Sequence, residues 1–275
     1  MKPGLYYDIS FESYVKIDAV NNSTLKILSD QSPAHCRQYM DEGRPETQSL
    51  GFGRATDCYI LEPALFEKQY VVGPDCRRGT NEWKDFEASV GPEMTILKPD
   101  EMDAIISIYN QVSKSQAMRL LEGGTAQVVA IWKDKKTDLL CKSRWDYFRE
   151  DIPMITDLKT TRSAKPDEFA RDVYKFGYYQ QAAFYVEGYK NVVSDKHDCC
   201  FAIFAVEKVP PYVCCAYELG AKTLEAGRIA FRRALDLYAK CLEKDHWPAY
   251  EEKITMLDMP AWALTAAGLG PERMM

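Results

Sequence analysis

The residues with the clearest chemical potential lie in Ile155-Thr156-Asp157-Leu158-Lys159-Thr160-Thr161, with Asp146 eleven positions upstream of Asp157. The apolar run Pro153-Met154-Ile155 leads into this segment and predicts a buried strand. Side chains two apart on a strand share a face, so Asp157 and Lys159 project together while Leu158 faces the core. Asp146 ends a second predicted strand, Leu139 to Tyr147. If the two strands pair, two carboxylates and an ammonium converge at one sheet end. Two hard oxygen donors suit Mg²⁺, with Mn²⁺ able to substitute. A lysine beside such an ion can orient or deprotonate an attacking water. This is equipment for cutting a phosphodiester. An Asp-x-Lys alone also fits an ordinary solvated strand face, so the weight falls on the second acid and on the helix after the strand.

That helix is predicted as one long element, Pro166 to Tyr189. Asp167 and Glu168 stand in its first turn, where negative charge suits the dipole, and Phe169, Val173, Phe176 and Phe184 form an apolar stripe. Gln181 and Tyr185, four apart, share a face. Gln181 is a candidate to hold a phosphate or the nucleophilic water, and Tyr185 to donate to a phosphate oxygen. The same pattern fits a core helix with polar decoration. Thr160 and Thr161, directly after the lysine, are candidate DNA contacts. So are Arg77 and Arg78 in Arg77-Arg78-Gly79-Thr80, where glycine brings backbone N–H groups close and the arginines suit phosphate oxygens. Lys133-Asp134-Lys135-Lys136 reads as a charged hairpin turn, and Arg232-Arg233 as a helix surface or subunit contact.

Taken in order, Asp146, Asp157-Leu158-Lys159 and Gln181-x-x-x-Tyr185 resemble the RecB-like branch of the PD-(D/E)xK nucleases. Gly53-Arg54-Ala55-Thr56-Asp57-Cys58-Tyr59-Ile60-Leu61-Glu62-Pro63 is similar to the first-helix motif of exodeoxyribonuclease VIII (RecE-type) nucleases. Leu139-Leu140-Cys141-Lys142-Ser143-Arg144 and Trp247-Pro248-Ala249 also resemble segments of that family. The likeness runs from about Asn21 to Trp262. It implies a site in which Asp57, Asp146, Asp157 and the Leu158 backbone carbonyl hold the metal and Lys159 positions the water. It further implies 5′-to-3′ digestion of linear duplex DNA from its ends, a ring-shaped homo-oligomer and a single-strand annealing protein as partner, in a phage or prophage recombination setting. One departure is plain: the family usually carries a histidine ligand where this chain has Asp57. A carboxylate is the harder donor, with a shorter reach and added negative charge. Asp57 could instead be a surface residue of a nuclease-like protein without activity. Of the three histidines, His35 follows Pro33-Ala34 on an upstream segment and reads as a surface residue.

The remaining composition narrows the class. A chain of 275 residues with 46% hydrophobic residues can bury a large core. Nine cysteines lack metal spacing, and the pairs Cys199-Cys200 and Cys214-Cys215 sit in apolar strand-like runs, which predicts reduced thiols in a cytoplasmic enzyme. No run predicts a membrane span or a signal peptide. The net charge of −6 does not exclude a DNA substrate, because phosphate contact needs only a local basic patch and bound cations neutralise clustered acids.

The order of elements predicts one α/β domain: a PD-(D/E)xK nuclease-like mixed β-sheet flanked by helices, with a helical N-terminal elaboration. Residues 1–50 would form that elaboration, 51–245 the core and 246–275 an irregular tail. A non-catalytic DNA-binding or assembly protein on the same fold is the alternative from another class. A single-strand nuclease or endonuclease using the same site is the alternative enzyme.

Overall fold

Leu140–Arg149 and Met154–Thr161, the two strands carrying the acids, pair antiparallel in the middle of a six-stranded mixed sheet. The computed structural model describes residues 1–43, 47–250 and 253–269. Its elements run β1 (Gly4–Tyr6), α1 (Phe11–Lys16), α2 (Asn22–Asp30), α3 (Pro33–Glu42), α4 (Gln48–Leu61), α5 (Pro63–Gln69), β2 (Tyr70–Val72), α6 (Asn81–Ser89), β3 (Thr95–Leu97) and α7 (Pro99–Lys114). A 3-10 turn (Gln116–Leu121) leads into β4 (Thr125–Lys133), β5 (Leu140–Arg149) and β6 (Met154–Thr161). Then come α8 (Pro166–Lys175), α9 (Tyr178–Val192), β7 (Cys200–Glu207), β8 (Cys214–Glu218), α10 (Ala221–Lys244) and α11 (Ala261–Ala266). The main sheet has the order β1-β4-β5-β6-β7-β8, and β2 and β3 form a small parallel pair. Only β6 and β7 are parallel neighbours in the main sheet, joined through α8 and α9 as a crossover requires.

Alternation along the strands gives the sheet two apolar faces. One face carries Val128, Ala130, Trp132, Trp145, Ile155, Phe201 and Ile203 against Phe184 of α9, with Phe231 of α10 and Leu25 of α2 in the same core. The other carries Leu158, Phe204 and Val206 against Ile60 of α4 and Ile108 and Val112 of α7. The result is a helix–sheet–helix layering, with α9 and α10 so close that a methyl group on Gly227 would meet the Tyr179 carbonyl oxygen.

Two expectations need correction. The predicted helix Pro166–Tyr189 is two helices. Gly177, at φ 70 and ψ 25, takes the left-handed conformation that glycine tolerates best and turns the chain between α8 and α9. The apolar stripe was continuous enough to hide the break, and Phe176 is exposed. The N-terminal segment joins the single domain: β1 is the edge strand beside β4, and Val20, Leu25 and Leu28 are core residues. Strand β1 is three residues long, too short to show a period. The tail holds a short helix, α11, with part of it outside the described residues.

The charged hairpin and Arg232 are one structure. Asp134 accepts from the N–H groups of Lys136 and Thr137 and from Arg232, so the β4–β5 turn is tied to α10. Arg232 is thereby committed to the fold.

Candidate active site

Asp146 was expected to end its strand, but β5 runs on to Arg149 and the acid lies inside it. The ladder breaks around it. The β4–β5 register passes from Ala126↔Tyr147 to Val128↔Trp145, leaving out Gln127, which stands opposite Asp146 at φ 56. On the other side, β5–β6 pairing stops at Tyr147↔Thr156, one step before Asp146 and Asp157 would face each other. Trp145 and Phe148 pack in one core while Tyr147 packs in the other, so the odd–even alternation slips by one at this place. The register is the same on both sides, so both strands are distorted together here with no residue inserted. Asp146 Oδ2 instead accepts the Leu158 N–H at 2.9 Å, a carboxylate substituting for a ladder carbonyl.

Asp157 is buried in β6, and Lys159 Nζ lies 2.6 Å from its Oδ2. Period-two geometry thus brings the two together, and Leu158 faces the opposite core as expected. Gln181 Nε2 donates to Asp157 Oδ1 at 2.7 Å. Gln181 and Tyr185 share a face of α9 as predicted, and Tyr185 bonds with Gln181 through their side chains. Tyr178, at the start of α9, places its ring 5.2 Å from Lys159 Nζ.

The electrostatics are those of crowded acids. Burial first, then the charge of Asp157, pushes the Asp146 carboxyl up to about 7. Burial, then Asp146 and Asp157, holds Asp57 well above the usual carboxylate range, with Lys159 and Arg144 opposing. Burial alone would lower the Lys159 ammonium, but Asp157 and Asp146 outweigh it and raise it. Lys159 therefore stays protonated, and as placed it is a donor rather than a base. Burial and the same two acids raise the Tyr185 phenol, which also remains a donor.

Asp57, on α4, comes to this cluster from the opposite side of the chain order, and its Oδ1 is buried with no hydrogen-bond partner. Among the described residues, no three His, Cys, Asp or Glu side chains close into a metal cage. The donor set nevertheless fits a hard cation. It comprises three carboxylates that repel one another, two of them, Asp57 and Asp157, carrying a buried oxygen without a hydrogen bond, with the Leu158 peptide held beside Asp146.

Residues 21–260, most of the chain, match the family described as "PDDEXK-like domain of unknown function (DUF3799)". The chain belongs to this family. The PDDEXK-like fold is also seen in the crystal structure of an Eubacterium rectale protein named "Putative exonuclease". That match has a TM-score of 0.64 and 13% identity, over 95% of this chain and 99% of that one. A second solved structure, of SSO0001, matches at 13% identity with a TM-score of 0.30, over 78% of this chain and 85% of that one. No functionally curated protein matches the sequence.

Within this PDDEXK-like domain the candidate DNA contacts sit in different surroundings. Arg78 is engaged by Glu101 Oε2 at 2.8 Å and lies over the Trp83 ring, so much of its charge serves the α6–α7 region. Arg77 is exposed nearby. Thr161 is buried, and its hydroxyl serves the turn after β6 by bonding to Ser163 O. Thr160 is half-buried under α4, where a side-chain carbon on Gly53 would lie 3.5 Å from its Oγ1. His35 is half-buried, with Nδ1 2.7 Å from Ser32 Oγ and its ring 5.8 Å from that of Tyr250.

Sequence reasoning missed three residues as members of the site. Arg144 acts electrostatically on Asp57 and Asp146. Glu62 lies 3.9 Å from Arg144. Tyr178 stands against Lys159. Arg144 was legible, being two residues before Asp146 on one strand. Tyr178 was hidden by the misplaced helix start. Among the described residues, no helix is long and apolar enough to cross a membrane.

Proposed function

We propose that this PDDEXK-like domain is a metal-dependent deoxyribonuclease, and specifically an exonuclease of the RecE type acting on linear duplex DNA. One observation carries the reading. A lysine that stays protonated is held 2.6 Å from a buried aspartate, beside two further acids whose affinity for protons is raised by burial and by one another. A binding module has no need to crowd three carboxylates at such electrostatic cost.

Asp146, Asp157, Asp57 and the Leu158 carbonyl would hold Mg²⁺, with Mn²⁺ able to substitute. The ion, when bound, supplies Lewis-acid polarisation of the phosphoryl oxygen and neutralises developing charge. The chain's own groups do the rest. Gln181 fixes Asp157 through Oδ1, leaving Oδ2 toward Lys159. Lys159 offers N–H donors that orient a water or a phosphate oxygen. Tyr185, protonated and half-buried, is a further donor behind Gln181. Strand polarity of 5′ to 3′, a ring-shaped homo-oligomer and a single-strand annealing partner belong to the same proposal and rest on the RecE-type likeness.

The test is digestion of end-labelled linear and covalently closed circular duplexes with Mg²⁺ or Mn²⁺. Loss of linear DNA alone supports the exonuclease, and the released label gives polarity. Cleavage of circles would make it an endonuclease. Tight binding without cleavage in either metal would leave a DNA-binding protein on a nuclease fold.

A further inference from the structure

Arg144 is a mostly buried cation with unusually little to hold. Its side chain is 16% exposed, its Nε is buried without a hydrogen-bond partner, and its nearest carboxylate, Glu62 Oε2, is 3.9 Å away, beyond hydrogen-bonding reach. A buried guanidinium left this way is costly, since its donors lose water and gain little. Its position is specific. It precedes Asp146 by two residues on β5, and its charge acts on both Asp57 and Asp146. Arg54 stands three residues before Asp57 on α4, so each of these acids has an arginine on its own element one repeat away.

The two arginines share a partner. The Phe11 ring lies 5.6 Å from the Arg144 guanidinium carbon and 5.4 Å from that of Arg54. Stacking covers the face of the Arg144 guanidinium and leaves its N–H edge for a planar or tetrahedral anion. Phe11 is 39% exposed, and its helix, α1, buries none of its six residues. Little apolar burial opposes a shift of this cover.

We propose that Arg144 is the phosphate-binding clamp of the site, gripping a backbone phosphate next to the acids, with Phe11 as its displaceable cover. This rests on the nuclease reading. It adds the residue that recognises the substrate's charge. A guanidinium fork matches phosphate geometry and forms stronger, charge-assisted bonds.

The test is binding of a fluorescein-labelled linear duplex in EDTA, followed by anisotropy from low to moderate salt, for the parent, Arg144→Gln, Arg144→Lys and Phe11→Ala. Arg144→Gln should weaken binding about 10- to 100-fold, in the range of one lost charge-assisted contact. The slope of log affinity against log salt should become shallower by about 0.9, the value for one released counterion. Arg144→Lys keeps the charge and the fold; it should keep the parent slope and lose part of the affinity, because the fork is gone. Phe11→Ala should keep the parent slope with affinity undiminished. Parent-like affinity and slope in both Arg144 variants would overturn the clamp, as would a loss of affinity in Phe11→Ala equal to that of Arg144→Gln. A parent protein that neither binds nor cuts DNA would instead defeat the nuclease reading.

Discussion

Asp146 Oδ2 accepts the Leu158 N–H at 2.9 Å, so a side-chain carboxylate from β5 completes the backbone of β6 at the point where the two strands stop pairing. The position of the acid depends on this interruption inside the sheet rather than on a helix or loop. The bond favours the ionised carboxylate, yet burial and Asp157 dominate and raise its affinity for a proton. The site therefore stores like-charge repulsion in a rigid sheet, and that repulsion can be measured.

Asp146→Asn retains an acceptor for the Leu158 N–H but removes a charge. Cleavage should fall by about 10²-fold or more, the scale of losing a group essential to charge stabilisation. The metal-free protein should melt at a higher temperature than the parent. Asp157→Ala should be equally inactive. Full activity in either variant, measured on linear duplex, would refute the site.

The pH dependence is set by the sign of the Asp146 shift. Its folded value, about 7, lies above the ordinary 3.8. The stabilising proton is thus held in full below about pH 4, and its contribution is lost as pH rises through 7. In metal-free buffer, the stability advantage of Asp146→Asn over the parent should grow between pH 4 and 7, by at most about 1.4 kcal/mol per pH unit, and then level off. Denaturant melts across that range check it. An advantage that shrinks with pH would mean that the carboxylate is stabilised as an anion.

Lys159→Ala should lower turnover by about 10²-fold or more. It leaves Asp157 Oδ2 without its cation, so divalent-ion affinity measured by calorimetry should persist or tighten. Loss of ion binding together with activity would make Lys159 a structural residue.

Asp57→Ala should raise the Mg²⁺ concentration needed for cleavage, and Asp57→His should retain some activity with a preference shifted away from the hardest ions. Removing the orphaned Oδ1 should also raise metal-free stability. A Mg²⁺ titration of Asp57→Ala that overlays the parent would make the residue a bystander.

Gly227→Ala tests the packing alone. A methyl group there would collide with the Tyr179 carbonyl oxygen and lie 2.8 Å from Ala183 Cβ, where α9 meets α10. Destabilisation of about 1–3 kcal/mol or more is expected in urea melts. An unchanged midpoint would mean that the two helices separate freely.

Much of this architecture was legible because local periods report it. The alternation at Asp157, Leu158 and Lys159 placed an acid and an ammonium on one face and a core residue on the other, and the contacts agree. The i, i+4 spacing placed Gln181 beside Tyr185. The break at Gly177 was not legible, since one glycine inside an amphipathic pattern is compatible with either a continuous helix or a turn.

By itself, then, the chain determined the layered α/β class and the residues that share a strand or helix face, because side-chain direction repeats every 2 or 3.6 residues along the backbone. The family resemblance already grouped Asp57 with Asp146 and Asp157; tertiary structure brings it within electrostatic reach of both, from 89 and 100 residues away. It alone decided that the ladder is interrupted at Asp146, that Arg78 is committed to Glu101, and that Arg144 and Arg54 close on Phe11. These depend on strand register and on which helix lies over which strand. Those are fixed by the summed packing of distant residues, which no local period records.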